Sequence, residues 1–138
     1  MVDTRVRAII IQNEKVLLIH RIKENDEYWV FPGGGVEETD ENPEGALGRE
    51  CVEELGIKVK VGKLFISNQI ELQGKERREI FFFCEQISGV LGTGTGPEYH
   101  PDSNYSGAYS LEWVDLARLS LLDVRPKDIQ QKLLKEVE

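Results

Sequence analysis

Residues 35–57 read GVEETDENPEGALGRECVEELGI, and this stretch decides the fold because it contains a helix together with its start and stop signals. Asn42 can cap the free backbone amides at the start of a helix, and Pro43 suits the first helical turn. Gly56 is a natural stop. The stretch therefore predicts a helix of about 13 residues.

The predicted helix has an acidic and an apolar side. At roughly 100° per residue, Glu50, Glu53 and Glu54 fall on one side. The other side carries apolar side chains, namely Cys51, Val52 and Leu55, with Leu47 at its border. Like charges at these spacings destabilise a helix by roughly a few tenths of a kcal/mol per pair. A divalent cation would compensate, and carboxylate oxygens suit Mg²⁺ or Mn²⁺.

An acidic helix face is also what an ordinary solvated surface carries, so the glutamates alone do not define a site. The wider spacing favours a site. Gly35 is followed after five residues by Glu41, and after seven more by the run RECVEELGI at residues 49–57.

This spacing resembles the signature of the Nudix hydrolases, G(x5)E(x7)REUxEExGU, in which U is a bulky apolar residue. Residues 35–57 match every fixed position, and Cys51 at the first U position is smaller than the usual Leu or Ile. The resemblance implies a hydrolase that cleaves a phosphoanhydride bond in a nucleoside diphosphate linked to another group. It also implies that the reaction uses water and a divalent cation, Mg²⁺ or Mn²⁺.

The rest of the chain reads mostly as β structure. Strands are expected at residues 5–11, 15–21, 29–31, 57–61, 64–72, 78–87 and 109–114. A helical turn is expected at residues 116–119 and an amphipathic helix at residues 126–137. Residues 88–107 predict a long loop, of the kind that is usually functional or mobile. This order suggests an α/β/α sandwich with a mixed β-sheet (α/β, or α+β), and the Nudix resemblance implies the same fold.

Composition limits the other classes of protein. The 138 residues, 40% of them hydrophobic, predict one domain over residues 1–138. A net charge of −8 argues against binding to nucleic acid polymers. No membrane span or signal peptide is visible, so we expect a cytoplasmic protein. The two cysteines, Cys51 and Cys84, lie in apolar runs and are expected to be buried thiols.

The resemblance assigns roles within the signature. Glu53 and Glu54 would bind the metal, and Glu50 would bind it or take the proton of the attacking water, since the base varies across the family. Arg49 belongs to the catalytic set as the residue that orients the glutamates. Gly34 would offer a backbone carbonyl to the metal. Glu41, which precedes the helix, is expected to hold the loop rather than bind metal.

Outside the signature the candidates have open alternatives. Glu98 would add a carboxylate to the metal site, as a distant loop often does in this family, or would belong to a lid. Arg21, Arg77 and Arg78 lie at strand ends and would grip substrate phosphates. Exposed arginines at strand ends are the alternative.

Two functions follow from these observations. The first is hydrolysis of a small nucleotide, with a (d)NTP pyrophosphohydrolase of MutT type as the finer hypothesis. The second is a catalytically inactive regulatory module of the same fold that binds a nucleotide. Because inactive members usually lose signature glutamates and none is lost here, the residues favour hydrolysis. Dimers are common in the family, so the resemblance is compatible with a homodimer.

Overall fold

The computed structural model describes residues 3–92 and 108–137. Its strands are β1 (Asp3–Gln12), β2 (Lys15–Lys23), β3 (Asp26–Val30), β4 (Gly33–Gly35), β5 (Ile57–Leu72), β6 (Lys75–Gly89), β7 (Ala108–Asp115) and β8 (Val124–Arg125). Its helices are α1 (Pro43–Glu50), which continues into a π-helical turn at Cys51–Leu55, and α2 (Lys127–Glu136), which follows a 3₁₀ turn at Leu116–Leu121. None of the helices in these ranges combines the length and apolar character needed to cross a bilayer.

Strand β1 joins two halves of a mixed sheet. In the first half, β1 pairs parallel with β6 and antiparallel with β4, and β5 forms an antiparallel hairpin with β6. In the second half, β2 lies between β3 and β7, and β8 runs parallel to β3. The end of β1 pairs with the start of β2, which is the predicted first hairpin. The expected mixed sheet is therefore confirmed.

In the part of the chain that the structure describes, one helix covers each side of the sheet. Because side chains alternate along a strand, Ala8 and Ile10 of β1 face one way and Ile9 faces the other. The first side packs against α1 and includes Leu47, whereas the second packs against α2 and includes Ile129. This arrangement is the predicted α/β/α sandwich, and it places the acidic end of α1 beside β4.

The helix differs from the expectation in which residues it buries. Leu47 is completely buried rather than at a border, and Val52 is 48% exposed rather than part of the core. Leu47, Cys51 and Leu55 are four residues apart and form one buried row. Val52 lies outside that row and reaches solvent.

The strands differ from the expectation mainly around the glycines. Gly33, Gly34 and Gly35 form a short strand, β4, that was not among the expected strands, and among them only Gly33 has a positive φ. The two strands expected at residues 57–61 and 64–72 are one strand, β5, with register shifts against β6 where they were expected to separate. The expected loop at residues 88–107 lies outside the described residues from position 93 onward.

The two cysteines are free and buried, as the sequence predicted. Burial raises the pKa of Cys84 to about 12, because a thiolate is poorly solvated among apolar side chains. Burial also raises the pKa of Cys51. Both thiols therefore contribute to packing in the α1 core.

Candidate active site

Arg49, at the end of α1, connects the loop before the helix to the acidic face. Its Nε and Nη2 atoms donate to the two carboxylate oxygens of Asp40, each at 3.0 Å. Nη2 also donates to the carbonyl oxygen of Gly35 at 3.0 Å. Nη1 donates to Glu53 at 3.0 Å and to Glu50 at 3.2 Å. A bidentate pair of this kind holds the guanidinium in one orientation, so Arg49 can align both glutamates.

The charges at this junction are strongly coupled. The Arg49 hydrogen bonds lower the pKa of Asp40, whose side chain is only 7% exposed and also accepts from the amide of Glu37 at 2.8 Å. Burial raises the pKa of Glu50, although the charge of Arg49 opposes this effect. A carboxyl group with a raised pKa is a better proton acceptor near neutral pH than an ordinary one.

Strand β4 lies directly against the acidic face. The amide of Gly33 donates to Oε1 of Glu54 at 2.7 Å. A side-chain carbon built on Gly34 would lie 2.4 Å from the carboxyl carbon of Glu50, so the bare backbone is what allows that carboxylate to approach. The structure therefore brings Gly34 together with Arg49 and the three signature glutamates.

Gly33 offers a direct test of this packing. Its φ is +151°, and a side-chain carbon there would lie 1.9 Å from the carbonyl oxygen of Val6. We expect Gly33→Ala to lower the free energy of unfolding by more than about 2 kcal/mol, measured by urea denaturation. Gly48→Ala is the matched control, since nothing lies within 4 Å of the added carbon. It should stabilise α1 by about 1 kcal/mol, and equal effects of both changes would contradict the geometry.

Asp40, which the sequence did not single out, is the residue that holds the Arg49 side chain in place. Glu41 was expected to hold the loop, but it is exposed, and Asp40 makes the paired hydrogen bonds instead. Asp40 occupies a variable position of the signature, so residue spacing carried no signal for it. Only the path of the loop brings its carboxylate to the guanidinium.

A cavity of ≈ 340 Å³ opens beside Glu54 and β4. Three arginines line it, namely Arg5, Arg7 and Arg21. Arg21 was predicted to grip substrate, whereas Arg5 and Arg7 were not. The signal for them was the alternation of Arg5-Val6-Arg7-Ala8, which puts both guanidiniums on one face of β1.

The other two arginines that were predicted to bind substrate, Arg77 and Arg78, lie on opposite faces of β6. Arg77 lines a second cavity of ≈ 650 Å³, which shares Arg7 with the first. Arg78 lies on the opposite face of β6, the one that carries Ile80 toward the α1 core, and it is exposed. The structure thus places Arg78 in the lining of neither cavity. Glu98 lies outside the described residues.

The carboxylate oxygens at this site are suitable ligands for a hard cation. Within residues 3–92 and 108–137, no three Asp, Glu, His or Cys side chains are already gathered as a metal-binding group. Glu50 and Glu53 are hydrogen-bonded to Arg49, and Glu54 is hydrogen-bonded to Gly33. Carboxylate oxygens beside a bare glycine backbone are nonetheless the ligand chemistry that Mg²⁺ and Mn²⁺ prefer.

Comparison with known proteins decides the family. The family model described as NUDIX domain matches residues 2–135, almost the whole chain. The chain belongs to the Nudix family. The resemblance read from residues 35–57 is therefore confirmed.

Curated Nudix relatives match over part of their length. The CTP pyrophosphohydrolase of Escherichia coli (strain K12) is 44% identical over 72 residues, which are 51% of this chain and 53% of that protein. Diphosphoinositol polyphosphate phosphohydrolase 2 of Rattus norvegicus is 47% identical over 53 residues, which are 38% of this chain and 28% of that protein. The matches thus span about half and about a quarter of these relatives.

A solved structure extends the likeness to the whole Nudix fold. The solution structure of the E. coli ORF135 protein has a TM-score of 0.74 and 27% sequence identity, and the match covers 99% of this chain and 89% of that one. The arrangement of sheet and helices described above is therefore shared along the chain.

Proposed function

We propose that this Nudix hydrolase is dependent on Mg²⁺ or Mn²⁺ and cleaves a phosphoanhydride bond in a nucleoside diphosphate linked to another moiety. A nucleoside triphosphate, as in the MutT-like branch, is the finer candidate. The observation that carries the proposal is the assembly of Arg49 with the signature glutamates next to a cavity lined by three arginines. Acidic residues for the water and basic residues for the phosphates thus lie side by side.

In this proposal the metal is held by Glu50, Glu53, Glu54 and the carbonyl of Gly34, with Glu98 as a further candidate ligand. When bound, a divalent cation supplies positive charge to phosphoryl oxygens and lowers the pKa of a bound water. The glutamates are suited to this task because they are acceptor-only groups, and two of them reach β4, Glu54 at the amide of Gly33 and Glu50 beside Gly34.

The remaining steps belong to the chain itself. Glu50 either binds the metal or accepts the proton of the attacking water on a carboxylate oxygen, and its position against Gly34 and Arg49 suits both roles. Arg49 orients Glu50 and Glu53 and does not touch substrate. Arg5, Arg7 and Arg21 donate to the nonbridging oxygens of the two phosphates, where guanidinium groups form charge-assisted hydrogen bonds.

The relatives suggest two substrate classes. The similarity to a CTP pyrophosphohydrolase supports a nucleoside triphosphate. The similarity to a diphosphoinositol polyphosphate phosphohydrolase supports a diphosphate carried by a phosphorylated ring. The alternative function, an inactive nucleotide-binding module, is disfavoured because no signature glutamate is lost, and Glu50, Glu53 and Glu54 contact β4 or Arg49.

A substrate panel with product identification tests the proposal. The panel would contain the common (d)NTPs, ADP-ribose, diadenosine polyphosphates and a diphosphoinositol polyphosphate, each with Mg²⁺, with Mn²⁺ and with EDTA. We expect cation-dependent cleavage of at least one class, and mass spectrometry after reaction in ¹⁸O-water would identify the attacked phosphorus. Tight binding of a nucleotide without release of any product would favour the regulatory module instead.

Two broader expectations accompany this function. The partner is a small-molecule nucleotide in the cytoplasm rather than a nucleic acid polymer, in keeping with the net charge of −8. The resemblance to the family is compatible with a homodimer, and light scattering during size-exclusion chromatography would determine the oligomeric state.

A further inference from the structure

A second, larger cavity adjoins the candidate active-site cavity. The second cavity has a volume of ≈ 650 Å³ and shares Arg7, Val30 and Phe31 with the cavity at Glu54. Because three residues line both spaces, a ligand that places its phosphoanhydride at Glu54 can extend past Arg7 without leaving the protein surface. The second cavity therefore faces the part of a substrate that lies away from the scissile bond.

The combined lining is basic although the chain is acidic. Among the described residues, the two cavities together are lined by five arginines and two glutamates, namely Arg5, Arg7, Arg21, Arg77 and Arg125 with Glu54 and Glu79. The whole protein carries a net charge of −8. A basic surface that reaches beyond the scissile phosphates attracts a ligand with further negative charge.

Not every arginine in this lining is available. Arg125 donates to Asp26 at 2.8 and 3.0 Å and to Asp123 at 2.9 Å. Its guanidinium also lies 4.2 Å from the centre of the Tyr28 ring. The hydrogen bonds of Arg125 therefore connect β8 to β3, and its guanidinium is already occupied by protein carboxylates.

Arg77 and Arg7 are less engaged. Among the described residues, Arg77 donates a single hydrogen bond, from Nε to Asp3 at 3.1 Å, which leaves both terminal amino groups for another partner. Asp3 is shared with Arg5 at 3.4 Å. Arg7 lies 3.7 Å from Glu79, beyond an ordinary hydrogen-bond length. The two guanidiniums can therefore bind an anion without breaking a close ion pair.

Part of the lining of the second cavity is apolar, namely Phe31, Phe81 and Pro126. An apolar surface with guanidiniums beside it fits a ring that carries a phosphate, because the ring contacts the apolar side chains and a phosphate accepts bidentate hydrogen bonds. A ring without an added anion would leave the guanidiniums unused.

We infer that the protein selects substrates in which the group attached to the diphosphate carries a further phosphate, and that Arg77 binds this remote phosphate. The inference rests on the proposed function, since it places the scissile phosphoanhydride at Glu54. It assigns Arg77 to specificity rather than to the chemical step.

Pairs of compounds that differ by one phosphate test the inference. Coenzyme A and dephospho-coenzyme A form one pair, and NADP⁺ and NAD⁺ form another. In each pair the extra phosphate is a ribose monoester away from the diphosphate. We expect kcat/KM to be roughly tenfold or more higher for the phosphorylated member of the pair that is hydrolysed. We also expect adenosine 3′,5′-bisphosphate to bind at least tenfold more tightly than AMP by calorimetry.

The chain supplies a matched control in the next residue. Arg77→Gln should bring both ratios close to one, because the amide cannot neutralise a phosphate. Arg78→Gln removes the same charge from the opposite face of β6 and should leave both ratios unchanged. Gel filtration and circular dichroism would show that both variants are folded.

The outcomes separate the inference from the proposed function. If a panel member is hydrolysed but neither ratio exceeds one, the inference is wrong and the proposed function stands. If nothing is hydrolysed but the bisphosphate preference is present and depends on Arg77, the proposed function fails and the remote phosphate site stands. Equal effects of Arg77→Gln and Arg78→Gln would overturn the inference, because they would reflect net charge alone.

Discussion

Replacing Glu53 or Glu54 with Gln should lower kcat by about 10²–10⁴-fold while the protein stays folded. The amide has the size of the carboxylate, and at position 54 its oxygen can still accept the hydrogen bond from Gly33. What is lost is a negative charge that the proposed metal site needs. Steady-state kinetics with a cation titration, together with urea denaturation, would measure rate, cation affinity and stability separately.

Glu44→Gln is the control for this pair of variants. Glu44 is an exposed carboxylate in the first turn of the same helix, away from β4. It should retain nearly full activity, with at most about 1 kcal/mol lost from the interaction with the helix dipole. If the Glu53→Gln or the Glu54→Gln protein keeps most of its activity, the proposed mechanism is wrong.

Asp40→Asn should reduce kcat and cation affinity by roughly 10–100-fold, the range found when a residue that supports metal ligands is changed. Both oxygens of Asp40 accept from Arg49 at 3.0 Å, and an Asn side chain would turn one of them into a donor facing another donor. Arg49 would then lose its fixed orientation and no longer align Glu50 and Glu53. Because Arg49 does not touch substrate in this proposal, KM for the substrate should change much less than kcat.

Glu41→Gln provides the comparison that decides this assignment. Glu41 is a fixed position of the Nudix signature, yet its side chain is exposed while that of the neighbouring Asp40 is almost completely buried. The Glu41 variant should therefore lose several-fold less activity and cation affinity than the Asp40 variant. If Glu41→Gln is the more damaging change, Glu41 and not Asp40 is the residue that holds Arg49 in place.

Local patterns were sufficient for most elements of the fold. Asn42 accepts from the amide of Gly45 at 2.7 Å, and Gly56 ends the helical segment with φ of +78°, as their residue types predicted. These features depend on a few consecutive residues, so sequence spacing carries them. Val52 was misplaced because a helical pattern shows which residues are apolar but not how far the covering sheet extends.

Residue spacing alone is enough to identify the family, the helix that carries Glu50, Glu53 and Glu54, and the acidic character of the site. Those properties are local, since the three glutamates share one helix and the signature has constant spacing. The folded chain was needed to show that Asp40 holds Arg49, that Arg78 lies on the face of β6 away from the cavities, and that Arg5 and Arg7 line the cavity at Glu54. Each of these facts depends on the path of a loop or on strand pairing, because contacts between distant residues arise only when β1, β4 and α1 meet.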